Sequence, residues 1–343
     1  MQRWTLKTFE RETVARLPGK GTTYRALMGV NGDGPLLLGS DTSVLVDINT
    51  MQPMEIQGQV TGGGEKTQVH VSANGHMFAG IGTSGSPSTF FRMTVRGNET
   101  MIGRFSSTSY RTRWSWPTAD GTLQLASVGI FDEHLQRVDA EWLQGYTLFP
   151  TVDPRYFLAI RFAKDAKTGK TVTHVNICTT SDRSIIYTYV GMEEVVKDYG
   201  TFNDLMWSKT VRFHNLPWAN LLITLPPGNR EIVLRNFDLM ATLHQTGLEY
   251  LFIDSIPPCE ATRGQSLSYQ IQAKSRAVGL KYKLEAGPET MTVSPDGLVT
   301  WNVPTNFGQD DTQAIVSVRN EAGKEVLHSF RLKIVEGAIL RSE

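Results

Sequence analysis

Gln68-Val-His-Val-Ser-Ala-Asn-Gly-His-Met-Phe-Ala-Gly-Ile81 carries the pattern that decides the fold: two alternating apolar runs on either side of Asn74-Gly75. A period of two marks a half-buried strand, and Asn-Gly supplies the positive φ that a two-residue hairpin turn demands. A third run, Phe90-Phe-Arg-Met-Thr-Val95, stands behind the hairpin. Upstream the phrase reads Tyr24-Arg-Ala-Leu-Met-Gly-Val30, turn Asn31-Gly-Asp-Gly-Pro35, Leu36-Leu-Leu-Gly39, then Ser43-Val-Leu-Val-Asp-Ile48. Downstream it returns as Arg113-Trp-Ser-Trp-Pro-Thr118, turn Asp120-Gly121, Thr122-Leu-Gln-Leu-Ala-Ser-Val128. A fourth copy runs Gly145-Tyr-Thr-Leu-Phe-Pro150, turn Asp153-Pro-Arg155, Tyr156-Phe-Leu-Ala-Ile-Arg161, His174-Val-Asn-Ile-Cys178. The fifth is Val211-Arg-Phe-His-Asn-Leu216, turn Pro217, Ala219-Asn-Leu-Leu-Ile-Thr-Leu225, Glu231-Ile-Val-Leu-Arg235.

From Gly34 to Gly75, Gly121 and Pro154 the turns step by 41, 46 and 33 residues, bracketing the roughly 40–45 residues of a four-stranded propeller blade. The next step, 63 residues to Pro217, contains an insertion over 191–210 in which Met192-Glu-Glu-Val-Val-Lys197 is expected as a short helix. A fourth, outer strand is expected at Met54-Glu-Ile-Gln57, Ile102-Gly-Arg-Phe105 and Ile185-Ile-Tyr-Thr-Tyr189. Over residues 1–245 this recurrence resembles the WD40 and related quinoprotein-type propeller families. Arg3-Trp-Thr-Leu-Lys-Thr-Phe9 sits where those families carry a W-D or D-x-x-T strand end, and Val46-Asp-Ile-Asn-Thr50 repeats the phrase. The chain opens on what reads as the last two strands of a blade. A ring of about five to six blades and the carboxy-terminal part of a larger array are both open.

After Leu248-Glu-Tyr-Leu-Phe-Ile-Asp-Ser-Ile256 comes Pro257-Pro258, a stiff hinge. Beyond it, Ser266-Leu-Ser-Tyr-Gln-Ile-Gln-Ala273 puts Leu267, Tyr269, Ile271 and Ala273 on one face, and several short alternating runs follow to Val335. Such punctuation predicts a β-sandwich. The stretch resembles the Ig-like or cadherin-like domains of bacterial surface proteins through Gly264-x-x-x-x-Tyr269-x-Ile271, Tyr282-x-Leu284-x-x-Gly287-Pro288-x-x-Met291, Ser294-Pro-Asp-Gly-Leu-Val-Thr-Trp301 and the hairpin turn Asn320-Glu-Ala-Gly323. It implies a structural or adhesive module, with Trp301 packed between sheets. Asp254, Glu260, Asp310 and Asp311 do not cluster as a cadherin calcium site requires, so no calcium is carried over. The expected organisation is therefore propeller repeats over 1–247, a linker strand and hinge over 248–258, the sandwich over 259–337 and a tail over 338–343.

Lys plus Arg and Asp plus Glu each number 34 in a chain of 343 residues. A balanced chain has no net field to draw in nucleic acid or an anionic membrane. Nowhere is there an apolar run of about 18 residues, and the amino terminus has no apolar core of a signal peptide, so no membrane insertion is expected. As written the chain reads as cytoplasmic, whereas the sandwich resemblance implies an extracytoplasmic place. Two cysteines, Cys178 and Cys259, exclude a disulfide framework; a single bridge between them is open, and two isolated buried thiols are the better reading.

No catalytic constellation stands out, and no cofactor or metal is expected. His70 and His214 fall in first strands, which line a propeller's central channel; single strand histidines are more often packing residues. Asp132-Glu-His134 reads as a turn, because strand neighbours point to opposite faces. Gly62-Gly-Gly64 precedes no helix and Gly82-Thr-Ser-Gly-Ser86 has no strand–turn–helix elbow, so neither reads as a phosphate loop or nucleophile site. The best binding candidate is Tyr110-Arg-Thr-Arg-Trp-Ser-Trp116: Arg111, Arg113, Trp114 and Trp116 could anchor a protein or glycan partner by stacking, or pack as an ordinary blade with the arginines snorkelling. The expected function is a non-catalytic protein-interaction or scaffolding module of a bacterial surface or envelope protein. An enzyme with a channel active site and a carbohydrate-binding surface protein are the alternatives.

Overall fold

The computed structural model describes the chain apart from residues 6, 17, 19–24, 31–33, 40–42, 62–66, 83–88, 107–113, 139–140, 193–194, 196–212, 227–229, 259 and 337–343. It is all-β, built of many small sheets with one α-helix among the described residues, and it divides into two compact units, Met1–Asp238 and Leu239–Glu343. No helix among the described residues is long and apolar enough to cross a membrane.

Among the described residues of the first unit six antiparallel sheets follow one another, each made only of sequence neighbours. The first is a hairpin, β1 (Gln2–Thr5) and β2 (Glu10–Val14). The second joins β3 (Arg25–Leu27), β4 (Leu36–Gly39) and β5 (Ser43–Val46). The third has four strands, β6 (Thr67–Val71), β7 (Met77–Gly82), β8 (Thr89–Arg96) and β9 (Glu99–Ser106). β10 (Ser115–Pro117), β11 (Gln124–Ala126) and β12 (Gly129–Phe131) form the fourth. β13 (Thr147–Pro150), β14 (Tyr156–Lys164), β15 (Thr171–Thr179) and β16 (Ile185–Val190) form the fifth. The sixth is β17 (Phe213–Leu216), β18 (Leu221–Thr224) and β19 (Val233–Asn236).

Second strands are apolar along nearly their whole length because both faces are covered. Met77–Ile81 of β7 and Tyr156–Ile160 of β14 are buried without a break. One face of the third sheet packs Val69, Phe78 and Met93 with Leu37 and Leu45 of the second. Its other face packs Ile81 and Phe90 against Ala126 and Phe131 of the fourth, with the Phe90 and Phe131 rings 4.9 Å apart. The second, third and fourth sheets thus stack face to face.

The polar turns lock that stack. In Ser72-Ala-Asn-Gly-His-Met77 the Ser72 hydroxyl donates to Asn74 Oδ1 at 2.5 Å and accepts the Met77 N–H at 3.0 Å. Thr118-Ala-Asp-Gly-Thr-Leu123 repeats this, with Thr118 Oγ1 donating to Asp120 Oδ1 at 2.7 Å and accepting the Leu123 N–H at 3.0 Å. Turns of neighbouring sheets also meet: Asn74 N–H reaches Ala119 O at 3.2 Å and Asn74 Nδ2 reaches Asp120 O at 2.8 Å. Arg92, on β8, is 6% exposed and donates through Nη2 to Gly121 O at 2.7 Å.

One expected element is revised, one expected turn takes a defined form, and one element was not foreseen. Met54–Gln57 forms no outer strand: past Pro53, the segment leaves β5 after one bond, Met54 N–H to Leu45 O at 2.9 Å, and crosses to β9 through Gln57 N–H to Asn98 O at 2.7 Å. The turn at Pro217 is a 3₁₀ turn, Pro217–Ala219, closed by Asn220 in the left-handed region (φ 51°). A helix that the strand periodicity hid, α1 (Leu239–Thr246), buries Leu239 and Leu243 and stops at Gly247 (φ 72°). Asp132-Glu-His134 is a turn, with the Asp132 carboxylate accepting the His134 and Gln136 N–H groups at 2.9 and 2.8 Å. The short helix expected in the insertion, the run 62–64 and Cys259 fall outside the described residues. Cys178 is a buried free thiol, its pKa raised by burial.

The second unit holds β20 (Leu251–Ile253), β21 (Glu260–Thr262), β22 (Ser266–Gln270), β23 (Ala273–Ser275), β24 (Lys281–Ala286), β25 (Met291–Val293), β26 (Leu298–Asn302), β27 (Asp311–Arg319) and β28 (Glu325–Val335). A four-stranded sheet, β21-β28-β27-β24, has β21 parallel to β28; a three-stranded sheet is β22-β26-β25, and β20 pairs β23. Tyr269, Met291, Val299 and Trp301 of the smaller sheet share one core with Val316, Val318, Phe330 and Leu332 of the larger. Trp301 is 1% exposed and donates its Nε1–H to Thr290 Oγ1 at 3.0 Å.

Candidate functional site

The first strands of the second to sixth sheets, β3, β6, β10, β13 and β17, converge on one cavity of about 290 Å³. Each of the five supplies wall residues: Leu27 from β3, His70 and Val71 from β6, Trp116 and Pro117 from β10, Phe149 and Pro150 from β13, and Phe213 and Asn215 from β17; Thr151 and Leu158 complete the lining. Two of the short first strands, β6 and β10, end in the capped turns described above. Neighbouring first strands also touch directly: the His70 ring meets Trp116 edge-on at 5.5 Å, and Trp116 lies 4.7 Å from Phe149.

Most of the wall is apolar; the polar groups are His70, Thr151 and Asn215, with the Trp116 indole. Two of these are occupied by the fold. Thr151 Oγ1 lies 2.8 Å from both Asp153 O and Tyr156 O and accepts the Asp153 N–H at 3.2 Å. Asn215 Oδ1 receives the Tyr156 hydroxyl at 2.9 Å, while Asn215 Nδ2 makes only a 3.4 Å bond to Leu221 O. Trp116 is 2% exposed, and its Nε1 is buried with no acceptor.

His70 differs. Among the described residues no hydrogen bond reaches its ring, whose contact is the edge-on packing with Trp116. Burial, and then the positive charge of Arg25, push its pKa down from 6.5 to about 4, so the imidazole is neutral at pH 7. Arg25 itself donates to Thr67 O, at the start of the same strand.

His214, the other first-strand histidine, is exposed: its neighbours Phe213 and Asn215 face the cavity, and the period of two turns His214 away. Trp114 and Trp116 stack at 5.1 Å and are buried, 7% and 2% exposed, so neither indole is presented on an outer surface. Arg111 and Arg113 fall outside the described residues. Phe149, Phe213 and Asn215 were not singled out in the sequence, although each sits in the same first-strand slot as His70. No group of three His, Cys, Asp or Glu side chains that could hold a metal comes together among the described residues.

No family model and no curated protein sequence matches the chain. Among solved structures it is similar to the extracellular domain of a hybrid two-component system of B. thetaiotaomicron, at 11% identity and TM-score 0.38, covering 97% of this chain and 48% of that one. It spans about half the length of that relative. It is also similar to a functionally unknown protein from Desulfotomaculum acetoxidans, at 10% identity and TM-score 0.39, covering 96% and 95% of the two chains. An endo-fucoidan hydrolase of glycoside hydrolase family 107 matches at 9% identity and TM-score 0.24, covering 82% of this chain and 38% of the enzyme.

Proposed function

We propose that this chain is a non-catalytic binding module, and that it holds a small molecule in the cavity where the first strands converge. The observation that carries this is the convergence itself: five consecutive sheets contribute their first strands to one largely apolar recess with a few polar groups. Ligand sites have this composition, and at about 290 Å³ the recess lies at the small end of their usual range. A propeller-like, WD40-type array over 1–247 would place first strands around a central channel in this way. The Ig-like sandwich, expected over 259–337, acts as a spacer or adhesion unit, and a bacterial surface or envelope setting is what its resemblance implies.

An enzymatic reading finds little to use in the wall. Among the described lining residues there is no carboxylate, lysine or cysteine, and acid–base catalysis rests on paired groups whose pKa values are pushed apart. A protein or glycan partner stacked on Trp114 and Trp116 is disfavoured by the burial of both indoles. The test is ligand-observed NMR with a library of small compounds on the intact chain and on Val71→Phe, which adds bulk to one residue of the recess wall. Hits that vanish in a folded Val71→Phe protein support the proposal. Hits indifferent to that substitution, or none at all, overturn it.

A further inference from the structure

We infer that the cavity is built for an uncharged ligand, with an apolar body about the size of a single ring and one polar group received by the His70 imidazole. This rests on the cavity being the binding site and goes on to name the chemistry it takes. Three features of the wall point the same way.

The first is His70 itself. The His70 ring is half-buried at the cavity wall, and the described residues leave it without a hydrogen bond while Thr151 and Asn215 Oδ1 are engaged. A neutral imidazole offers one donor and one acceptor, which suits an amide or a hydroxyl. Asn215 Nδ2, held by only a 3.4 Å bond, is a second donor on the wall.

The second is that the described wall residues carry no charge. Among the described residues no Asp, Glu, Lys or Arg lines the cavity, so an ion entering it would lose its hydration without gaining a counter-charge from them. The environment that keeps His70 neutral acts on a ligand's charge in the same sense, and Arg25 adds a repulsion for cations.

The third is size and shape. At about 290 Å³ the cavity exceeds the roughly 150 Å³ of a protein cavity that takes up benzene, room for one substituted ring. Leu27, Val71, Phe149, Leu158 and Phe213 supply the apolar walls for its body.

The matched probes benzamide, benzoate, benzylamine and ethylbenzene share one ring and differ in charge and polar group. Titrated into the intact protein at pH 7, benzamide is expected to bind at least tenfold more tightly than benzoate or benzylamine, and about fivefold more tightly than ethylbenzene. His70→Phe should remove the benzamide preference over ethylbenzene while leaving ethylbenzene binding in place. Should that variant fail to fold, nitrogen-detected NMR of the wild-type His70 ring gives the same answer, because benzamide should shift its resonances and ethylbenzene should not. Benzoate or benzylamine binding as tightly as benzamide at pH 7 would overturn the uncharged-ligand assignment and leave the cavity as the site. Failure of all four probes to bind would overturn both.

Discussion

His70 and His328 share a chemistry although they belong to different units. Burial holds each pKa down from 6.5 to about 4, with Arg25 adding to the effect at His70. His328 Nε2 lies 3.0 Å from the Tyr269 hydroxyl, which also meets Ser255 Oγ at 2.7 Å. For a base whose folded pKa lies below its unfolded one, the unfolded chain binds the proton that the native state refuses. Stability is therefore full above about pH 6.5 and is lost as pH falls toward 4, by up to about 1.4 kcal/mol per pH unit for each histidine. Urea midpoints at pH 7, 6 and 5 should fall in step, and His328→Gln should flatten the slope for the second unit; midpoints that do not change over this range would contradict the burial of both rings. The sequence showed His70 in a first strand and could not show what faced it. The neighbours that give the ring its character, Trp116, Phe149 and Asn215, lie 46 to 145 residues away, and only the stacking of sheets brings them together. The same ambiguity covered Trp114 and Trp116: an Arg-Trp alternation looks alike whether its indoles pack inward or outward.

At the scale of elements, the capped turns carry the array. Thr118 is 2% exposed and makes both a side-chain bond to Asp120 and a backbone clamp to Leu123. Thr118→Val keeps the shape and strands those partners, so unfolding free energy should drop by about 1–3 kcal/mol. Gly75 sits at φ 75° with a Cβ position 2.8 Å from Gly34 Cα of the neighbouring sheet. Gly75→Ala combines backbone strain with a contact that neither backbone can yield, and should cost at least as much. Urea denaturation checks both, and near-native stability of either variant would contradict the interlocked turns. These turns were readable because their chemistry is local: Asn-Gly and Asp-Gly state their own φ. The crossing segment 53–57 was not, since Met54-Glu-Ile-Gln57 alternates like a strand and only its two different partners, β5 and β9, show that it bridges sheets. α1 was missed for a related reason, its eight residues offering only two buried positions to set a helical period.

Across the whole molecule, two units with separate cores should unfold as two events. Trp301 anchors the core of the second unit, and Trp301→Ala should lower one calorimetric transition by about 3–5 kcal/mol while the other stays in place; a single shifted transition would contradict separate cores. All-β architecture and repetition were legible along the full chain, because every repeat restates them. The cavity was not, since it exists only where five repeats meet and no single repeat contains it. It is also the feature on which the functional account stands. The most direct test is a transferred Overhauser measurement on the intact protein with a bound small compound, reading which ring protons the ligand touches. Contacts to His70, Phe149 and Phe213 together are the predicted result. A bound compound that instead contacts the exposed Trp218 or Trp4, with none of those three rings, would contradict the cavity as the binding site.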